Sequence, residues 1–269
     1  MYLSNIISRI SKPMYVTEQG LSAIHAVVRN HLLNRKAEID DLFENEDPAA
    51  PYDLMPGVRV IPVHGYIGYR VSALEKACGV CDIGDLANNV EAAGNDESVK
   101  TIVLDISSGG GEVTYVQECA DRIMQVGKSK PVIGYTDTLA CSAAQWLMAA
   151  CNETYATPSA ELGSIGVRCT LFDTSELYKR EGVSVKLYAS GKLKGLGHEG
   201  LPITEEQDAY MKNEVNMLGE QFKQYMRSRM PNLKDEDMEG QTLSGQYLYD
   251  TGNITGLVYG INDIFENND

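Results

Sequence analysis

Hydrophobic positions in this chain follow two rhythms, short near-continuous runs and longer stretches with helical spacing. Between residues 17 and 44, Leu21, Ile24, Val28, Leu32 and Leu33 share one helical face with no proline among them, which predicts an amphipathic helix. The acidic stretch ENEDPAAPYDLMPG at 44–57 holds three prolines, cannot continue that helix, and reads as a linker. A boundary near Ala50 therefore separates an N-terminal helical segment with its linker, residues 1–50, from a main domain over 51–269.

Within the main domain, the β-branched run 58–63 between Gly57 and Gly65 predicts a first strand, followed by a loop rich in glycine and cysteine. A helix is expected over 85–93, ending at Gly94, and then a buried strand over 99–106, because its apolar run is nearly continuous. Ser107-Ser-Gly-Gly-Gly111 breaks that strand ahead of a helix over 112–126 and a strand over 131–136. A helix over 142–151 leads to short strands at 154–156 and 166–168. Asp173 to Glu176 has a capping-box pattern opening a helix closed by Gly182, after which 183–188 alternates as a strand. Thr204-Glu-Glu-Gln207 is a second capping box. It starts a long helix whose inward face is Met211, Val215, Leu218, Phe222 and Met226, stopped by Pro231. The tail predicts a small helix at 245–250 and a last segment at 261–265. Strands alternating with helices imply an α/β fold with a mainly parallel sheet flanked by helices.

Composition adds constraints. An ordinary apolar share of 43% excludes a globally disordered chain, and a net charge of −15 without a Lys/Arg cluster excludes a nucleic-acid-binding protein. The first residues lack the apolar run of a signal peptide, and no stretch approaches the ~20 apolar residues of a membrane span, so a cytoplasmic protein with no membrane contact is expected. Six cysteines are too sparse for a disulfide scaffold. The Cys78-x-x-Cys81 pair has no second ligand pair or nearby histidine, so no metal site is assigned to it.

The chemistry centres on residues 139–167, LACSAAQWLMAACNETYATPSAELGSIGV. Here Ser142 sits at the mouth of an alanine-rich helix and Ser164 lies in a Gly-Ser-Ile-Gly turn. A serine hydroxyl attacks only when a base takes its proton. None of the four histidines, His25, His31, His64 and His198, brings the partner acid and local context of a Ser/His/Asp triad. Lys194, between glycines after an apolar run, is the other candidate, since burial against apolar walls turns a lysine into a base; alone, the stretch also reads as a solvated loop. Ser108-Gly-Gly-Gly111, between strand and helix, fits an oxyanion cradle, a phosphate cradle or a plain tight turn, though the Lys and Ser/Thr of a P-loop are missing. Ala143, following the nucleophile, would give a second N–H donor.

Together, Leu104-Asp-Ile-Ser-Ser-Gly-Gly-Gly-Glu-Val113, Ala140-Cys-Ser-Ala-Ala-Gln145, Gly163-Ser-Ile-Gly-Val167 and Ser190-Gly-Lys-Leu-Lys194 resemble, in order and spacing, the signal peptide peptidase A (protease IV) family of Ser/Lys peptidases. Within it the chain is most similar to the tailed-phage head-maturation, or capsid assembly, proteases. The resemblance covers residues 58–265 and implies a Clp-protease/crotonase-like fold. It also implies Ser142 as nucleophile, Lys194 as general base, Ser164 as the serine that orients the lysine, and Gly110 or Gly111 with Ala143 as oxyanion donors. The family usually has Asn-Ser-Pro-Gly-Gly where this chain has Ser107-Ser-Gly-Gly-Gly, which leaves the choice between the two glycines open. Spacing favours Lys194 over Lys192.

The expected activity is therefore a cofactor-free and metal-free serine endopeptidase. Its partners would be protein substrates, possible ones being phage scaffold, portal or capsid proteins, and its place the bacterial cytoplasm or a procapsid. Family members form rings in which neighbours complete the cleft, which implies a homo-oligomer. Competing readings are a cytosolic signal-peptide-peptidase-like protease, a crotonase-type acyl-CoA enzyme, and an inactive assembly module.

Overall fold

The structure, a computed structural model, describes residues 14–16 and 50–266 of the 269. The predicted helix at 17–44 lies outside the described residues. Of the N-terminal segment, only strand β1 (Met14–Val16) is described.

Strand β2 (Tyr52–Met55) corrects the reading of 44–57 as a linker throughout. It pairs antiparallel with β3 (Val58–His64), because Pro56 presets its own φ and Gly57 sits at φ +85°, letting the chain reverse within two residues. Strand β4 (Tyr66–Gly68), helix α1 (Ala73–Ala77) and strand β5 (Val80–Asp82) replace the expected glycine- and cysteine-rich loop. Helix α2 (Ile83–Asn95) starts on Asp82, whose carboxylate accepts the N–H of Gly84 at 2.8 Å, and runs past Gly94.

Strand β6 (Thr101–Ser107) is followed by a short strand β7 (Gly110–Glu112), helix α3 (Val116–Val126) and strand β8 (Val132–Thr136). Next come β9 (Leu139–Cys141), helix α4 (Ala143–Ala149), β10 (Glu153–Ala156) and β11 (Glu161–Gly163). The strand expected at 166–168 is displaced to β11, which pairs with β9 on one side.

Helix α5 (Ser175–Arg180) forms without the predicted capping box: its N-cap, Thr174, makes no side-chain cap bond, and the carboxylate of Asp173 takes the N–H of Ser175 instead. No strand forms at 183–188. A strand needs a neighbour for its backbone groups, and among the described residues none runs beside it; the result is an arm with Phe172, Leu177, Leu187 and Tyr188 exposed.

Helix α6 (Glu205–Arg229) opens on Thr204 with both capping-box hydrogen bonds in place. Of its predicted inward face Phe222 and Met226 are buried, whereas Met211, Val215 and Leu218 are only half-buried. Strand β12 (Thr242–Ser244), helix α7 (Gly245–Asp250), strand β13 (Gly256–Leu257) and helix α8 (Asp263–Glu266) complete the chain.

The main sheet has the order β13-β10-β8-β6-β3-β2 and is parallel except for the edge strand β2. Its strands are apolar on both faces. Ile61, Val63, Ile102, Leu104 and Ile106 join the large core with α2, α3, α4 and α6, whereas Val60, Val103, Ile133 and Tyr135 meet α8 on the other face. The fold is thus α/β, with a mainly parallel sheet flanked by helices. Two smaller sheets, β1-β7-β4-β5 and β12-β11-β9, meet at its carboxyl end.

Candidate active site

Ser142 lies between β9 and α4 with φ +59° and ψ −117°. That region suits glycine; a residue with a Cβ held there costs about 1–3 kcal/mol and persists only where its surroundings impose it. Two hydrogen bonds impose it. The N–H of Ser142 donates to the carbonyl of Gly163 at 2.7 Å, and the carbonyl of Ser142 accepts the N–H of Trp146 at 3.0 Å. The hydroxyl is 1% exposed and has no hydrogen-bond partner among the described residues. Ala140, Ala143 and Ala144 around it are fully buried. Helix α4 is held from outside by Trp146, whose ring stacks on Phe222 at 4.9 Å and on Tyr225 at 4.5 Å from α6. The Arg229 guanidinium closes its far end, donating to the carbonyls of Ala149 at 2.7 Å and Cys151 at 3.0 Å.

The glycine turn reaches the same corner. The N–H of Ser108 donates to the carbonyl of Leu139 at 2.9 Å, and the carbonyl of Ser108 accepts the N–H of Cys141 at 3.0 Å, one residue before Ser142. The Ser108 hydroxyl donates to the carbonyl of Gly65 at 2.6 Å and accepts the N–H of Gly110 at 3.1 Å. Gly110 has φ +98°, and a Cβ on Gly111 would fall 1.8 Å from the carbonyl oxygen of Ile67. Glycine is therefore favoured at 110 by its positive φ and required at 111 by packing. Strand β7 packs against α4, whose first N–H groups, that of Ala143 included, have no acceptor within the helix.

Ser164 arrives through β11. Gly163 pairs with Cys141, so Ser164 follows directly on the residue that holds the Ser142 amide; Ser164 is 9% exposed, has φ +51°, and donates its N–H to the carbonyl of Gln241 at 2.8 Å. The buried Gln145, one turn into α4, accepts the N–H of Gly163 on its side-chain oxygen at 3.0 Å, and its NH₂ points to Met230 Sδ at 3.4 Å. Neither Ser108 nor Gln145 was singled out from sequence for a role of its own. A polar residue amid the apolar run of α4 was the available signal for Gln145.

Ser142, Ser164, Gly110, Gly111 and Ala143 thus converge. Lys194 does not join them: it is exposed on the arm, its backbone N–H donates to Gly191 at 3.1 Å, and the Ser142 hydroxyl stands without it. Lys192 is engaged elsewhere, 3.1 Å from the Glu206 carboxylate. His64 does have an acid partner, Asp105, at 3.1 Å, a correction to the sequence reading. The pair extends the sheet face of Val60 and Val103, opposite the face that carries α4, and so builds no triad with Ser142. Hydrogen bonding to Asp105 raises the imidazole pKa above its ordinary value.

Burial pushes the Cys81 thiol up to about 12, away from the reactive thiolate form. Among the described residues no cluster of three His, Cys, Asp or Glu side chains could hold a metal, and no helix is long and apolar enough to cross a membrane. A cavity of about 270 Å³ opens at the far end of α4, between Met148, Arg229 and Asn253, and does not include Ser142.

The chain is similar to the head-tail preconnector protein GP5 of Enterobacteria phage P21, with 31% identity over 64% of this chain and 35% of that protein. It is also similar to the capsid assembly protease C of Escherichia phage lambda, with 28% identity over 89% of this chain and 56% of the relative. It therefore spans about a third and about half of these two proteins. A putative signal peptide peptidase SppA of Enterococcus faecium is 24% identical over 61% of the chain. Among solved structures, an enoyl-CoA hydratase/isomerase family member is similar at a TM-score of 0.40 and 12% identity, covering 78% of this chain and 68% of that one, a likeness on which no argument rests. Residues 124–265, more than half of the chain and including Ser142, Ser164 and Lys194, match peptidase family S49, and the chain belongs to that family.

Proposed function

We propose that this chain is a serine endopeptidase with Ser142 as nucleophile and Lys194 as general base, cleaving phage head or scaffold proteins during capsid maturation. The observation that carries the reading is Ser142 itself: a buried, unpartnered hydroxyl on a strained backbone, beside the glycine strand β7. In the proposed reaction the neutral Lys194 amine takes the Ser142 proton as the oxygen attacks a peptide carbonyl. The resulting oxyanion receives hydrogen bonds from the N–H of Ala143 and of Gly111, or of Gly110 once its N–H is released from the Ser108 hydroxyl. Collapse expels the amine fragment, which takes the proton back from Lys194, and water then hydrolyses the ester by the same route.

The arm must bring Lys194 to Ser142 for this to occur. Its exposed Phe172, Leu177, Leu187 and Tyr188 favour its burial against a neighbouring copy, which would also shield the amine from water, as a lysine base requires. The likeness to a head-tail preconnector protein and a capsid assembly protease of two phages supports head proteins as substrates.

The test is labelling by a fluorophosphonate, followed by co-expression with head proteins and mass spectrometry of fragments. Labelling at Ser142 in the native chain, with fragments absent in Ser142→Ala and Lys194→Ala, is expected. Full cleavage by the Lys194 variant overturns the dyad.

A further inference from the structure

Strand β7 has two edges. One is taken by β4, where Ile67 lies opposite Gly111. The other is taken by β1, from the N-terminal segment, running antiparallel with Met14 opposite Glu112, Tyr15 opposite Gly111 and Val16 opposite Gly110. No other strand of the described residues lies between β1 and solvent in that sheet, so β1 is an added edge strand. The direction is informative. Moving from Met14 to Val16, β1 passes from Glu112 toward Gly110 and Ser108, and Ser108 is bridged to Ala140, two residues before Ser142. An extended chain laid on this edge in the β1 direction is thus led by its C-terminal end toward the nucleophile.

Recognition through such an edge uses backbone N–H and C=O groups and is tolerant of side chains. Gly110 and Gly111 suit that use, because a strand without side chains at two consecutive positions excludes neither large nor small residues on the incoming chain.

We propose that the outer edge of β7 is the docking strand for extended peptide substrates, and that residues 14–16 hold it in the resting chain as an internal competing peptide. The proposal rests on the peptidase reading for the meaning of the edge, but the pairing itself can be tested without catalysis. Substrate then binds only in the fraction of molecules whose β1 has left. A site closed nine-tenths of the time binds its ligand about tenfold more weakly than an open one.

The experiment uses the full chain with Tyr15→Pro and, separately, Val16→Pro. Successive residues of a strand direct their N–H groups to opposite sides, so one of the two substitutions removes a ladder bond. A fluorescent peptide copying residues 11–19 is titrated into each variant in a Ser142→Ala background, and amide exchange of Gly110 to Glu112 is followed in parallel. At least one variant should bind the peptide several-fold more tightly than the parent and lose protection at those amides; in the Ser142-intact form it should show a lower KM with kcat little changed.

Equal peptide affinity and equal protection in the parent and both variants overturn the proposal, whatever the activity. Tighter peptide binding without any cleavage or Ser142 labelling leaves the docking edge standing and overturns the peptidase reading instead.

Discussion

The side-chain oxygen of Gln145 accepts the N–H of Gly163 at 3.0 Å, and Gly163 in turn accepts the N–H of Ser142 at 2.7 Å. The two bonds close a clamp between the start of α4 and the end of β11. It holds Ser142 at a positive φ that it would otherwise leave. Gln145→Leu keeps the volume but orphans a buried N–H, which costs about 1–3 kcal/mol. Chemical denaturation should show that loss, and fluorophosphonate labelling of Ser142 should slow more than tenfold. Gln145→Glu, which retains the acceptor, should recover part of the labelling rate.

Ser142→Ala and Ser142→Gly separate the hydroxyl from the backbone. Both should abolish the proposed cleavage, but only glycine relieves the strained φ, so Ser142→Gly should be the more stable of the two by about 1 kcal/mol or more. Equal melting temperatures would show that the backbone at 142 is not strained.

Dilution tests the proposed approach of Lys194 to Ser142. With Lys194 on an exposed, apolar arm, activity per chain should fall as the protein is diluted through the dissociation range seen by analytical ultracentrifugation. Tyr188→Glu, at a side chain 89% exposed, should shift assembly and activity to higher concentration together while leaving the chain's own fold intact. Activity independent of concentration would place the dyad within one chain.

The His64–Asp105 pair predicts a pH effect of defined sign. The folded pKa of His64 is raised above the ordinary value of about 6.5, chiefly by the hydrogen bond to Asp105 and against partial burial. Its contribution to stability is fully present below the unfolded pKa and is lost as pH rises through the folded one. NMR titration of the imidazole should show Asp105→Asn lowering the His64 pKa. Because the pair lies on the face opposite α4, the same variant should leave Ser142 labelling unchanged.

Arg229→Met removes charge-assisted bonds to the carbonyls at the end of α4. A loss of about 2 kcal/mol in urea denaturation is expected, with slower labelling of Ser142 as the helix that carries it loosens.

Local chemistry made several of these features readable in advance. Thr204 and Gln207 share a capping box that needs only four residues, and the helix at Gly245–Asp250 is bounded as expected by its own turn signals. That the glycine turn comes together with the start of α4 was legible because the order and spacing of the motifs, rather than any single residue, carry the pattern. What was not legible depends on partners far along the chain. Strand β7 is glycine-rich and has no β-propensity of its own; it exists because β1 and β4 flank it. The run 183–188 has strand-like alternation but no neighbour to pair with among the described residues, and the first half of α6 carries an apolar face that is only half-buried. His64 and Asp105 become partners only through the parallel register of β3 with β6.

The backbone at Ser142 also sets a direction for lineages of this fold. On the proposed reading, selection for cleavage would keep a serine where the chain geometry favours glycine. Once that selection relaxes, substitution by glycine lowers the free energy of the folded state, so loss of activity and gain of stability coincide in a single step. Descendants retained only as assembly parts should accumulate glycine at 142 while keeping Gln145 and Gly163, and reverting them would require climbing back against their own stability.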